Sequence, residues 1–148
     1  MEIKKLLCAV DFSESSTQVA DYAVAMARAF NAKVVVLYSA PSLTQYVGFH
    51  VPATSIDTFV GEIVSGAEKA MDTYLAENFP GVETEGRVVT GYADEEILRV
   101  AEEENVDIII MGTHGRKGID RILFGSIAEK VVKSSPRPVL TIRPVIKA

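Results

Sequence analysis

Asp107-Ile108-Ile109-Ile110-Met111, then Gly112-Thr113-His114-Gly115-Arg116-Lys117-Gly118, and then Ser126-Ile127-Ala128-Glu129-Lys130-Val131-Val132 read as a strand, a glycine-rich loop and a helix. The first run is short and apolar, the second cannot continue it, and the third resumes at helical spacing. Glycines at 112, 115 and 125 admit backbone angles closed to other residues and carry no Cβ, so main-chain N–H groups can come close to a ligand. Gly125-Ser126 stands where a helix begins, and the unpaired N–H groups and partial positive charge of a helix start make an anion site. Phosphate is the fitting anion. Ser126 adds a hydroxyl donor, and Arg116 and Lys117 add positive charge unless they are simply solvated. The competing reading is a strand-to-helix turn in which the glycines only pack. Neither Gly-x4-Gly-Lys-Ser/Thr nor Gly-x-Gly-x-x-Gly occurs, so this is not a P-loop or a dinucleotide fingerprint.

Outward from this stretch the chain alternates strand and helix. Lys4 to Val10 is an apolar run suited to a strand covered on both faces, and Asp11 ends it. Ser13-Glu14-Ser15-Ser16 offers N-cap candidates for a helix carrying Val19, Tyr22, Ala23, Met26 and Phe30 and stopping at Asn31. Lys33 to Ser39 is a second, β-branched strand. From Ala40 to about Thr54, Pro41, Gly48 and Pro52 break any period, which predicts a lid or a surface loop in which His50 is solvated. Ile56 through Leu75 traces one face of a long helix that ends before Pro80-Gly81. Glu83 to Thr90 reads as a third strand, and Asp94 is expected to cap a helix carrying Ile97, Leu98 and Ala101. The Glu102-Glu103-Glu104 run reads as a solvated face. Val139 to Ile142 is a fifth strand between Pro138 and Pro144. Strand, helix, strand in succession implies parallel pairing with right-handed crossovers, hence a three-layer α/β sheet of five parallel strands.

With 148 residues the chain reads as a single domain, 1–148, able to bury roughly 70% of its unfolded surface. Apolar residues make up 48% and no run approaches a membrane span, while the N-terminus is too soon charged for a signal peptide. No membrane association and a cytoplasmic location are therefore expected. A net charge of -5 argues against a general affinity for nucleic acid, so any basic site must be local. Cys8 is the only cysteine, which excludes an intrachain disulfide and a cysteine metal site, and its apolar neighbours predict a buried, inert thiol.

The Gly112-x2-Gly115-x9-Gly125-Ser126 spacing, the Ala9-Val10-Asp11-Phe12-Ser13 strand end and the C-terminal Pro138-Val139-Leu140-Thr141-Ile142 strand together resemble the nucleotide-binding branch of the universal stress protein family. The resemblance spans Ile3 to Pro144. It implies a Rossmann-like sheet, close to that of the adenine nucleotide alpha hydrolases, with strand order 3-2-1-4-5. It also implies a mostly dimeric, ATP-binding domain whose last strand, Val139 to Ile142, pairs with its twin in a second subunit. A monomer whose edge is blunted by Pro138, Arg143 and Pro144 is the alternative.

In such a sheet ligands bind beyond the carboxyl ends of the strands where the order switches, here between the first and fourth. Asp11 and Gly112 end those two strands. Asp11 is expected either to accept hydrogen bonds from ribose hydroxyls or an adenine amino group and to help hold a metal beside the phosphates, or to cap the first helix. By resemblance Ser39 presents its backbone to adenine, where the family usually carries an apolar side chain; Val89 is a wall for the base or ordinary core. The phosphate arm maps onto Gly112, Gly115, Gly125 and Ser126, with the backbone N–H of Arg116 and Ile127 as further donors and Thr113 and His114 as ribose or phosphate contacts. His114 has no carboxylate or nucleophile assigned beside it, so no residue is designated catalytic and none a metal ligand. The expected cofactor is ATP, or ADP or AMP, with Mg²⁺ or Mn²⁺ carried on the phosphates.

Three functions stay open at this level. One is a dimeric stress-response module that binds ATP, hydrolyses it at most slowly and signals to an unknown protein partner. The second is an ATPase or a phosphoryl or nucleotidyl transferase using Asp11 and Ser126, and the third a nucleotide-free interaction protein.

Overall fold

The alternation of Leu6, Leu7 and Cys8 across one strand decides where the two cores sit. Side chains along a strand point to opposite faces in turn, and a parallel sheet buries both. Leu6 and Cys8 join Val34, Val36 and Ile110 in a core completed by Val19, Ala20, Ala23, Met71 and Tyr74. Leu7 joins Val35, Leu37, Ile109 and Met111 in a second core with Ile97, Val100, Ala128 and Val131. Leu6, Leu7 and Cys8 are all 0% exposed.

The computed structural model describes residues 1–40, 53–114 and 125–144. Among these the chain runs β1 (Lys5–Ala9), α1 (Ser15–Phe30), β2 (Lys33–Ala40), α2 (Ala53–Asn78), β3 (Thr84–Thr90), α3 (Ala93–Glu103), β4 (Ile108–Gly112), α4 (Ser126–Ser134) and β5 (Val139–Ile142). The five strands form one sheet in the order β3-β2-β1-β4-β5, all parallel, as expected. Helices α1 and α2 cover one face and α3 and α4 the other. The long irregular stretch is shorter than anticipated: Ala40 still pairs with Thr90 in the sheet, and Ala53 and Thr54 already belong to α2. Residues 41–52, with His50, lie outside the described residues.

Chain reversals follow their residue chemistry. Asn31 ends α1 in the left-handed conformation (φ 53°), and the N–H of Ala32 reaches back to the Ala27 carbonyl at 2.9 Å. Gly91, at φ 144°, turns the chain out of β3 while its N–H donates to Ala40 at 2.9 Å. Asp94 does not cap α3. Tyr92 occupies that position and Asp94, Glu95 and Glu96 fill the first turn, where carboxylates meet the positive end of the helix dipole. No described helix is long and apolar enough to cross a membrane. Cys8 is free and fully buried, and burial pushes its thiol up to about 12, so it carries no thiolate at neutral pH.

Candidate functional site

The site is built where β1 and β4, adjacent in the sheet, send their chains to opposite faces. After β1 the chain passes through Val10 and Asp11 to α1; after β4 it passes through Thr113 and His114 towards α4. Between these exits lies a cleft of about 350 Å³. Its floor is apolar, with Ala9, Val19, Met111 and Ile97, and its rim is polar, with Asp11, Ser15, Ser16, Thr113, His114 and Ser126.

Thr113 holds the rim together through its backbone. Its N–H donates to the Ile142 carbonyl at 2.9 Å, and its carbonyl accepts from the Gly125 N–H at 2.7 Å, so the end of β5, the exit of β4 and the start of α4 are tied at one residue. The reason for glycine at 112 and 125 is the missing side chain rather than unusual backbone angles. Neither is among the glycines with positive φ, and Gly125 sits at φ −70°. A Cβ at 125 would stand 3.0 Å from the Thr113 carbonyl oxygen, and one at 112 would stand 3.3 Å from the His114 carbonyl oxygen. Glycine thus lets three backbone segments converge; of the two properties read from the sequence, the missing Cβ is the one these two positions use.

Among the described residues nothing caps the start of α4. Gly125 offers no side chain, and among the described residues none accepts from the N–H groups of Ser126, Ile127 or Ala128. Ser126 and Ile127 are exposed. His114 is buried, with Nδ1 2.8 Å from Thr113 Oγ1. With the hydroxyl donating, the ring proton sits on Nε2, and that nitrogen is buried without a hydrogen-bond partner among the described residues. Asp11 does not cap α1, whose cap position is Glu14 with no side-chain cap bond; it braces the turn before the helix, its Oδ1 accepting from the Ser13 N–H at 2.9 Å and from Ser16 Oγ at 3.1 Å. Its other oxygen has no partner among the described residues. The same carboxylate therefore shapes the turn and faces the cleft.

Of the residues expected at a ligand site, Asp11, Gly112, Thr113, His114, Gly125, Ser126 and Ile127 line this cleft. Ser39 and Val89 do not. Ser39 Oγ donates to the Gly91 carbonyl at 3.0 Å, pinning the end of β2 to the turn after β3, and Val89 packs against the second core. Gly115, Arg116 and Lys117 lie outside the described residues. Sequence reasoning gave no cleft role to Ser15, Ser16, Val19, Ala93 or Ile97, which also line it. Val19 and Ile97 were legible only as core positions; their nearness to the helix starts, on the elements leaving β1 and β3, was the available signal. No group of three or more His, Cys, Asp or Glu side chains suited to a metal ion occurs among the described residues.

Fold and cleft together define an open parallel α/β domain with a ligand-sized, partly uncapped crevice at its topological switch point. The chain belongs to the universal stress protein family, whose model matches residues 2–143. It is 32% identical over 142 residues to universal stress protein MJ0531 of Methanocaldococcus jannaschii, covering 95% of this chain and 82% of that one. Among solved structures it resembles the hypothetical protein MJ0577 with a TM-score of 0.85, 29% identity and coverage of 99% and 100% of the two chains. It also shares the fold of a universal stress protein from Archaeoglobus fulgidus solved in complex with dAMP, with a TM-score of 0.62, 24% identity and coverage of 96% and 99%.

Proposed function

We propose that this chain binds an adenine nucleotide, ATP foremost with ADP and AMP as alternatives, in the cleft between β1 and β4, and acts as a stress-response signalling module. The observation that carries the reading is the set of polar groups at the cleft that have no partner among the described residues: the first N–H groups of α4 and, a donor when Thr113 Oγ1 donates to Nδ1, Nε2 of His114. Buried or helix-terminal donors left unpaired cost free energy that an anion would recover, and an α-helix start favours phosphate in particular. The apolar floor offers a surface for a base or sugar, and the open oxygen of Asp11 offers an acceptor for a ribose hydroxyl or an amino group. The relative solved with dAMP makes the adenine nucleotides the first class to try.

Mg²⁺ or Mn²⁺ would accompany the phosphates rather than occupy a protein cage. Hydrolysis, where it occurs, is slow, so the module works by occupancy rather than turnover. Two copies associate through β5, whose outer edge is unpaired within the described chain and offers a row of backbone groups to a twin strand. The protein works in the cytoplasm and passes its state to a protein partner. The test is calorimetric titration of purified protein with ATP and Mg²⁺ beside a Gly125→Val variant. Saturable binding that the variant lacks supports the reading; no saturable binding by the native chain overturns it.

A further inference from the structure

The turn that delivers Asp11 to the cleft contains a residue whose backbone conformation is costly for its side chain. Phe12 has φ 59°, the left-handed region that bulky L-residues avoid and that glycine enters freely. Such a conformation persists only where its surroundings hold it. Here the bonded turn from Asp11 to Ser16 and the packed ring hold it together: the ring centroid lies 4.7 Å from that of Tyr38 and 5.8 Å from that of Tyr74, the latter edge-on. Tyr74 is buried on α2, and its hydroxyl donates to the Ser16 carbonyl at 2.7 Å.

Two neighbours in sequence therefore look into two different places. Asp11 lines the cleft, whereas Phe12 lines a groove of about 400 Å³ between the start of α1 and the last turns of α2, with Thr17, Lys69, Thr73 and Tyr74. Ser16 borders both and is held from both sides. Its Oγ donates to the Asp11 carboxylate and its carbonyl accepts from Tyr74.

We infer that Phe12 couples occupancy of the cleft to the order of α2 over residues 69–78. The inference rests on the nucleotide reading for what fills the cleft. A ligand that engages Asp11 in its present geometry fixes the turn from Asp11 to Ser16. The fixed turn keeps Phe12 left-handed with its ring against Tyr38 and Tyr74, and Tyr74 carries the restraint into α2. When the ligand leaves, the turn can relax towards negative φ, the ring loosens from Tyr74, and the α1–α2 groove changes shape. Coupling of this kind is reciprocal, so whatever clamps the groove tightens ligand binding by the same factor.

Glycine separates the two halves of the device, because it takes the left-handed conformation without cost and has no ring to pass the restraint on. The experiment is amide hydrogen exchange of the full chain with and without saturating ATP and Mg²⁺, on the native protein, Phe12→Gly and Tyr74→Phe. In the native protein, ATP is expected to slow exchange about threefold or more both near the cleft, at residues 12–16 and 126–131, and remotely at 69–78. Phe12→Gly is expected to keep ATP affinity within about threefold of native, because the Asp11 turn survives, while the change at 69–78 disappears. Tyr74→Phe keeps the ring and loses the bond to Ser16, so the change at 69–78 is expected to shrink while the cleft response stays; this variant decides the matter should Phe12→Gly fail to fold. Protection at the cleft with none at 69–78 in the native protein overturns the coupling and leaves the nucleotide reading intact. A full native response at 69–78 in both variants overturns the route through Phe12 and Tyr74. A native chain that binds no ATP overturns the nucleotide reading and this inference with it.

Discussion

The two ends of the sheet are built in opposite ways. At the amino end polar groups are paired: Oδ2 of Asp107 accepts from the backbone N–H of Lys4 at 2.8 Å and of Lys5 at 3.0 Å, which stitches the start of β4 to the start of β1. Beside it Lys5 Nζ meets Glu104 at 3.2 Å, Arg87 meets Glu103 at 3.0 Å and Glu104 at 3.3 Å, and Arg137 Nε donates to the Val106 carbonyl at 2.9 Å. At the carboxyl end, among the described residues, the first N–H groups of α4, Nε2 of His114 and one oxygen of Asp11 lack partners. The difference teaches where stability and function are kept apart. Satisfied polar groups hold the fold, and the unsatisfied ones gather where the sheet switches direction and a ligand can complete them.

That contrast should survive, or fail, under substitution. The largest effect is expected from Gly125→Val, which puts a Cβ against the Thr113 carbonyl oxygen and pushes the start of α4 away from β4. ATP affinity should drop about 100-fold or more, equivalent to about 2.7 kcal/mol, by calorimetric titration. Asp11→Ala comes next and straddles the comparison, because this carboxylate both braces the turn into α1 and lines the cleft. It should cost about 1 kcal/mol in chemical denaturation through the lost bonds to Ser13 and Ser16 and about tenfold in ATP affinity through the lost acceptor.

Asp107→Ala tests the other end. It should lower stability by about 1 kcal/mol and leave ATP affinity unchanged. Its pH dependence has a definite sign. The Lys4 N–H, followed by that of Lys5, holds the Asp107 carboxyl below the usual carboxylate range, so its contribution is full above about pH 4 and fades as pH falls through the lowered value. Denaturation curves of native protein and variant should therefore converge in acid. Ser126→Ala is expected to do least: about threefold in ATP affinity, since backbone donors remain, and no measurable change in stability, since the hydroxyl has no partner among the described residues.

Much of this was legible before any coordinates. Continuous apolar runs at Lys4 to Val10, Val34 to Tyr38 and Ile108 to Met111 could only be strands buried on both faces, and the helical spacing between them forced crossovers. The strand order came from family resemblance, and the sheet follows it. The convergence of Asp11 with Gly112 then followed from topology. What stayed hidden depends on contacts between distant residues. Which backbone Gly125 must clear shows only when the Thr113 carbonyl oxygen is seen 3.0 Å from where its Cβ would lie. That the Ser39 hydroxyl pins the end of β2 to Gly91 shows only in the fold. Asp94 reads as a cap because Asp favours caps, yet the cap position falls two residues earlier, at Tyr92, just after the turn at Gly91. Phe12 gave no local signal, since its left-handed backbone is sustained by rings from β2 and α2.

The most direct measurement is the titration of the native protein with ATP and Mg²⁺, after any nucleotide it carries from purification has been released and identified. The account predicts a saturable isotherm with one nucleotide per chain, and adenine nucleotide as whatever copurifies. A chain that emerges empty and shows no saturable binding would contradict it, and would leave the cleft to a ligand of another class.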